Sequence, residues 1–305
     1  MASVENPDLS IIILNYNVKD LLLKCLESVF KSKSTSDKWQ IIVVDNASGD
    51  GSVEAVKVRY DQAIELIENK DNLGFSAGNN VGVKKVKAPV VLFLNPDTEI
   101  VGDVIQKSLD YLLGNPDIGA LTCRVELPNG KLDYSCHRGF PTPWNAFCYF
   151  SGLAKLFPHS PLFAGYTVSY LDITTIHEID CLTGAYLLVR KIAGDAITWW
   201  DKEYFWNGED IEFCYNLKAK GWKIYFYPEA KIIHYKGSSS GLKSTAFKGI
   251  EKSQRLKATS YGISAMRIFY LKHYYKKYPP ILRDLILAGI KSLEYYRKAK
   301  LWIYQ

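Results

Sequence analysis

Asp97 is the residue whose setting carries the most chemistry. It stands in Asn95-Pro96-Asp97-Thr98-Glu99, directly after the apolar run Pro89 to Leu94. A carboxylate at the mouth of a nucleotide-type cleft can coordinate Mg2+ or Mn2+ through oxygen, and such an ion would bridge two phosphates. The plain alternative is a turn, with Asp97 capping a helix that begins near Val101. A second acidic cluster, Trp206 to Glu212 (WNGEDIE), opens a helical pattern on a Gly-containing loop. There Asp210, or Glu209 as fallback, could take the proton of an attacking hydroxyl. Capping in a favourable helix dipole would also explain these acids. His234 closes the run EAKIIHY. Beside a metal-binding carboxylate it could supply a nitrogen ligand, although a lone histidine at a strand exit is as readily structural.

Three further polar groups follow short apolar runs: Asn15-Tyr16-Asn17, Asp45-Asn46, and the loop Asn72 to Asn80 (NLGFSAGNN). Asp45 could accept hydrogen bonds from a base or a ribose hydroxyl. Gly74 and Gly78, with Asn72 and Asn79 beside them, let backbone approach a ligand and open a helix towards a diphosphate. Turn-setting and capping compete for these residues too.

The elements that must position these groups alternate regularly. Ser10–Asn15, Gln40–Asp45, Ile64–Glu68 and Pro89–Leu94 read as strands, and helical spacing follows at Lys19–Phe30, from Val53, and at Ser76–Val86. Apolar strands separated by helices predict an α/β fold, with a mostly parallel central sheet covered by helices on both faces. Ligands of such sheets bind beyond the carboxyl ends of the strands, which is where Asn15-Tyr16-Asn17, Asp45-Asn46, the Asn72–Asn80 loop and Asn95-Pro96-Asp97 fall. Residues 124 to 170 show no clear period and read as a mixed, acceptor-facing region. Asp180–Arg190, a helix over Glu209–Lys220 and a strand pair, Lys223–Tyr227 and Lys231–Tyr235, restore order. KGSSSG at 236–241 is the first clear break, and two helices, Lys248–Tyr278 and Ile281–Ile303, are expected beyond it.

The chain is 48% hydrophobic and 23% charged, which suits a buried core and excludes a disordered chain. The sequence MASVENPDLS lacks a signal-peptide pattern, so a cytoplasmic protein is expected. Six scattered cysteines without a C-x-x-C pair predict reduced, buried thiols. Charge is divided unevenly. Residues 243–305 hold 14 Lys or Arg against 3 Asp or Glu, a net of +11, so of the chain's +6 the first 242 residues carry −5. A basic tail with Phe269, Tyr270, Tyr274, Tyr275, Tyr295, Tyr296 and Trp302 could lie on an anionic membrane surface; a cover helix or a homo-oligomer contact are the alternatives. No nucleic-acid motif accompanies the charge. G-x-G-x-x-G is absent after the first strand, which excludes a dinucleotide-dependent oxidoreductase.

Taken together, SIIILNYN, IIVVDNASGDGS, NLGFSAGNN, LFLNPDTE, TGAYLLVR, WNGEDIEFCYNLKAKGW and HYKGSSSG resemble family 2 glycosyltransferases of GT-A fold, in their rhamnosyltransferase-like branch. The resemblance runs in order over residues 10–241. It implies a GT-A domain at 1–241, with a nucleotide-sugar half near 10–122 and an acceptor half near 123–241, followed by a helical tail at 242–305. It further implies inverting, single-displacement transfer of a sugar, with dTDP-rhamnose as candidate donor and a glycan or lipid-linked hydroxyl as acceptor in cell-surface polysaccharide synthesis. Asp97 takes the place of the metal-binding acidic motif and Asp210 that of the base, with His234 a second metal ligand. Asn15, Asn17, Asp45, Asn72, Gly74, Gly78, Asn79, Asn95 and Trp206 fall on the substrate side. Where the family commonly has two carboxylates, this chain has Asn95-Pro96-Asp97. A non-catalytic sugar-nucleotide-binding scaffold is the alternative from another class.

Overall fold

The computed structural model describes residues 5–236 and 252–303. The first half runs β1 (Leu9–Asn15), α1 (Lys19–Ser32), β2 (Trp39–Asp45), α2 (Ser52–Tyr60), β3 (Glu65–Glu68), α3 (Gly74–Val83), β4 (Val90–Leu94), β5 (Thr98–Ile100), α4 (Val104–Gly114) and β6 (Ile118–Glu126). The second continues with α5 (Pro143–Ser151), α6 (Leu153–Leu156), β7 (His177–Glu178), β8 (Tyr186–Arg190), α7 (Lys191–Ala196), α8 (Glu209–Ala219) and β9 (Lys223–His234). Two long helices, α9 (Lys252–His273) and α10 (Pro280–Ile303), complete the described chain.

One nine-stranded sheet has the order β3-β2-β1-β4-β8-β6-β9-β5, with β7 paired to β9. β3, β2, β1 and β4 are parallel, as continuous apolar runs covered on both faces require. The second half mixes directions: β8 runs antiparallel to β4 and β6, while β6 and β9 are parallel. A single buried core extends through both halves, and the expected division at 122/123 falls inside β6.

The expected strand pair at 223–235 is one strand. Its register with β6 slips between Cys123↔Tyr227 and Arg124↔Lys231, so Pro228 to Ala230 bulge out of the ladder. Proline cannot donate to a ladder, and a bulge is where a sheet accommodates it. Beyond the bulge β9 turns to β5 and sets His234 opposite Thr98, one residue from Asp97.

The tail departs further from expectation. Phe269, Tyr270 and Tyr274 are buried, not lipid-facing. They form a satellite core with Ile286, Leu287 and Ile290 of α10 and Tyr215 of α8. His273 packs on Tyr215 at 3.9 Å between ring centres, the rings tilted, and places Nε2 2.7 Å from Glu212 Oε2. Lys272 pairs with Asp201 and Glu203. α9 is thus a cover helix fixed to α8. The expected boundary at 241/242 and most of KGSSSG lie outside the described residues, as does the Trp302 side chain. All six cysteines are free and buried. Among the described residues no helix is long and apolar enough to cross a membrane.

Candidate active site

Asp97 and His234 meet at the junction of β4, β5 and β9. Both are buried, and His234 Nε2 lies 3.3 Å from Asp97 Oδ1. The other ring nitrogen, Nδ1, is 3.0 Å from Asp133 Oδ2, and Lys236 Nζ is 2.7 Å from Asp133 Oδ1. Burial works against the imidazolium, but the bonds to Asp133 and Asp97 outweigh it and raise His234 to about 9. Burial would likewise raise Asp133; the His234 bond and the Lys236 charge reverse this and hold it well below the usual carboxylate range. This corner therefore stabilises positive charge, whether proton or metal. Nδ1–H donates to Asp133 and the protonated Nε2 faces Asp97. A cation held at Asp97 would have to displace that proton before Nε2 could act as a ligand, with Asp133 then standing behind it as carboxylates commonly stand behind histidine ligands. Among the described residues no three His, Cys, Asp or Glu side chains form a ready-made cation cage. Asp97 and His234 could together offer one oxygen and one nitrogen to a divalent cation, the remaining positions falling to phosphates and water.

The polar groups at the ends of β1, β2 and β3 are mostly engaged with one another. Asp45 is buried and accepts from Asn15 Nδ2 at 2.8 Å and from the Ser48 amide at 2.8 Å. Asn17, in the left-handed region at φ +53, accepts from the Gly49 amide at 2.8 Å. Asn72 Oδ1 accepts from the Gly74 amide at 2.9 Å, and Asn79 Nδ2 donates to the Phe75 carbonyl at 3.0 Å. Gly74 has φ +78, and a Cβ there would lie 2.5 Å from the Phe205 carbonyl oxygen. A Cβ on Gly78 would lie 2.6 Å from Leu14 Cδ1. The NLGFSAGNN loop thereby clamps the loop before α8, with the Phe75 amide donating to the Phe205 carbonyl at 2.7 Å. Asn95 is partly exposed and is anchored by its backbone to Ala185 and Thr98. Trp206 is half-buried in the clamped loop.

That loop ends in Asn207 and Gly208, both at positive φ, and delivers Glu209 and Asp210 to the first turn of α8. Arg138 Nη2 donates to Asp210 Oδ2 at 2.6 Å and also to the Leu182 carbonyl at 2.8 Å. Glu209 is buried, and its Oε2 has no hydrogen-bond partner among the described residues. Burial, reinforced by the neighbouring Asp210 charge, pushes its carboxyl up to about 8. Burial thus favours the neutral form of Glu209, while Asp210 is oriented by Arg138.

Asp133 and Arg138 were not among the residues singled out from sequence. One short segment carries both, with a 3-10 turn at Tyr134–Cys136 between them. It holds His234 with one end and Asp210 with the other, tying the cation corner to the α8 acids. The one signal available was the pair of charges, Asp133 and Arg138, in an otherwise aperiodic stretch.

The mixed α/β sheet with its covering helices has the architecture of the GT-A glycosyltransferases. The glycosyl transferase family 2 model matches residues 10–172, and the chain belongs to that family. It is a glycosyltransferase. It is 25% identical over 244 residues to the N-acetylglucosaminyl-diphospho-decaprenol L-rhamnosyltransferase of Mycobacterium tuberculosis, covering 76% of this chain and 78% of that one. It is 25% identical over 227 residues to a low-salt glycan biosynthesis hexosyltransferase of Haloferax volcanii, covering 71% and 64%. Among solved structures, the Pyrobaculum calidifontis mannosyltransferase in complex with GDP-Man and Mn2+ matches with TM-score 0.59 at 14% identity, covering 97% of this chain and 73% of that one. GalNAc-T7 with UDP, GalNAc and Mn2+ matches with TM-score 0.57 at 14% identity, covering 94% and 55%.

Proposed function

We propose that the chain moves a sugar, with inversion, from a nucleoside diphosphate donor to a hydroxyl of a lipid-linked glycan. The mycobacterial relative favours rhamnose, hence dTDP-rhamnose, and a diphospho-polyprenol-linked acceptor. The carrying observation is the Asp133–Arg138 segment, which fixes the cation corner and the base candidate in one frame. Asp97 and His234 would hold Mg2+ or Mn2+, which neutralises the charge that develops on the leaving diphosphate. Asp210 accepts the acceptor hydroxyl's proton as that oxygen attacks the anomeric carbon, and Arg138 orients it. Asn15, Asn17 and Asp45 shape the donor pocket, with Asn72, Gly74, Gly78 and Asn79 setting the loop that closes on Trp206; Asn95 stands beside the metal corner. A lipid-linked acceptor is confined to a bilayer, so the reaction is read as occurring on its cytoplasmic face.

The test is a thermal-shift panel of UDP, dTDP and GDP with and without Mn2+, on the parent and on Asp97→Ala. One nucleotide should stabilise the parent in a metal-dependent way, and the shift should vanish in the variant. Equal stabilisation of Asp97→Ala would remove Asp97 from the donor site.

A further inference from the structure

Between Asp133 and Asp172 the chain contains no Asp or Glu: residues 134–171 carry Arg138 and Lys155 as their only full charges, among ten aromatic residues. Part of this segment, α5, α6 and the loop after them, faces outward. Phe147 is 55% exposed, Leu156 69% and Leu162 61%, with Trp144, Phe150 and Phe157 also exposed beside them. These side chains are held in place by defined contacts. Thr142 caps α5 by accepting from the Asn145 amide at 3.1 Å, and Pro143 occupies its first turn. Trp144 Nε1 donates to the Leu162 carbonyl at 2.8 Å, and Phe157 packs on Phe163 with ring centres 5.0 Å apart. Cations rim the patch. Lys155 projects from α6, and the Arg297 guanidinium of α10 lies 5.8 Å from the Phe150 ring centre.

We propose that the α5–α6 aromatic face, rimmed by Lys155 and Arg297, docks on an anionic lipid bilayer. A cluster of exposed apolar side chains of this kind marks an interaction surface. Its composition selects the partner: aromatic rings suit the headgroup level and the cations suit anionic lipids. A second copy fits less well, because a two-fold contact would face an acid-free, cation-rimmed patch with itself. The face also continues directly into the site. Asn145 Nδ2 donates to the Phe140 carbonyl at 2.8 Å, two residues from Arg138, which holds Asp210. A docked protein therefore keeps its base candidate near the surface in which an amphiphilic acceptor resides. The surface stands on exposure and charge alone, so it can fail while the sugar-transfer reading survives.

The experiment is flotation of the full chain with phosphatidylcholine vesicles and with vesicles containing phosphatidylglycerol. Binding is expected with the anionic vesicles, and the double variant Phe147→Ser, Leu156→Ser should weaken it about tenfold or more while leaving the metal-dependent nucleotide thermal shift unchanged. Lys155→Glu with Arg297→Glu should remove the preference for phosphatidylglycerol. In the parent, brominated lipid should quench tryptophan emission, and Trp144→Phe should abolish most of that quenching. A parent that stays with the non-floating fraction overturns the proposal. So does flotation undiminished by the serine pair, or a serine pair whose effect is to dissociate a dimer in light scattering.

Discussion

At the residue scale, the two neighbouring acids of α8 differ in a way that mutation can expose. Burial favours the protonated form of Glu209, of which Gln is a near-isostere; Asp210 pairs with Arg138. Asp210→Asn should lower kcat by about 10²–10⁴-fold, the range for loss of a general base, while Glu209→Gln should cost far less. A reversed order in steady-state rates would transfer the role to Glu209. Behind the metal corner, Asp133→Asn should weaken apparent Mn2+ affinity by about 10–100-fold with the fold retained, as loss of a carboxylate behind a histidine ligand does. Titration of donor turnover with Mn2+ reads this directly, and an unchanged midpoint would make Asp133 a structural partner only. Asp97 and His234 stood out because each closes or follows an apolar run, and Asp210 because it opens a helical one. Asp133 and Arg138 were not, because their partners lie 101 and 72 residues away and the stretch around them has no period.

At the element scale, the parallel half was readable from strand runs that each end in a polar side chain. The β9 bulge was hidden, because Pro228 interrupts the pattern as a strand break would and only pairing with β6 shows that the strand continues. The NLGFSAGNN loop was read as ligand-facing from its glycines. Within the protein Gly74 also permits close approach of the Phe205 backbone, and Gly78 that of the Leu14 and Asn46 side chains. Gly74→Ala should cost about 1–3 kcal/mol through strain at positive φ and displacement of the 205–208 loop, visible as a lower Tm together with slower turnover. A variant of parental stability would mean that the loop gives way freely. The Asp133–Arg138 segment also brings a pH dependence. His137 is buried, with its Nε2 2.7 Å from that of His177, and burial followed by the His177 charge lowers it from 6.5 to about 4. Between those values the unfolded chain binds more protons than the folded one. Stability from this group is therefore complete above about pH 6.5 and is lost as pH falls through about 4, on the order of 3 kcal/mol in all. Urea midpoints of the parent and His137→Gln should converge on acidification; parallel curves would show that His137 does not titrate.

At the scale of the whole molecule, a net of +11 on the last 63 residues was visible in the sequence, but which of its faces meets the body was not. Charge counts do not distinguish a lipid-facing aromatic from one that seals a second core. Phe269, Tyr270 and Tyr274 do the latter, and the His273–Glu212 and Lys272–Asp201 pairs fix α9 across α8 and the loop that delivers Glu209 and Asp210. Ala265 meets Gly208 at the start of that helix, at 2.8 Å from where a Cβ would stand. The tail is therefore part of what orients Asp210, and α9 should not be removable. Phe269→Ala should destabilise by about 3–5 kcal/mol, the usual cost of emptying a buried aromatic site, and lower Tm on the order of 10 °C. Vesicle flotation of the same variant, measured below its Tm, should stay at the parental level, because the residue faces protein. Loss of flotation with no change in Tm would return Phe269 to the membrane and reverse the assignment of α9 as a cover helix.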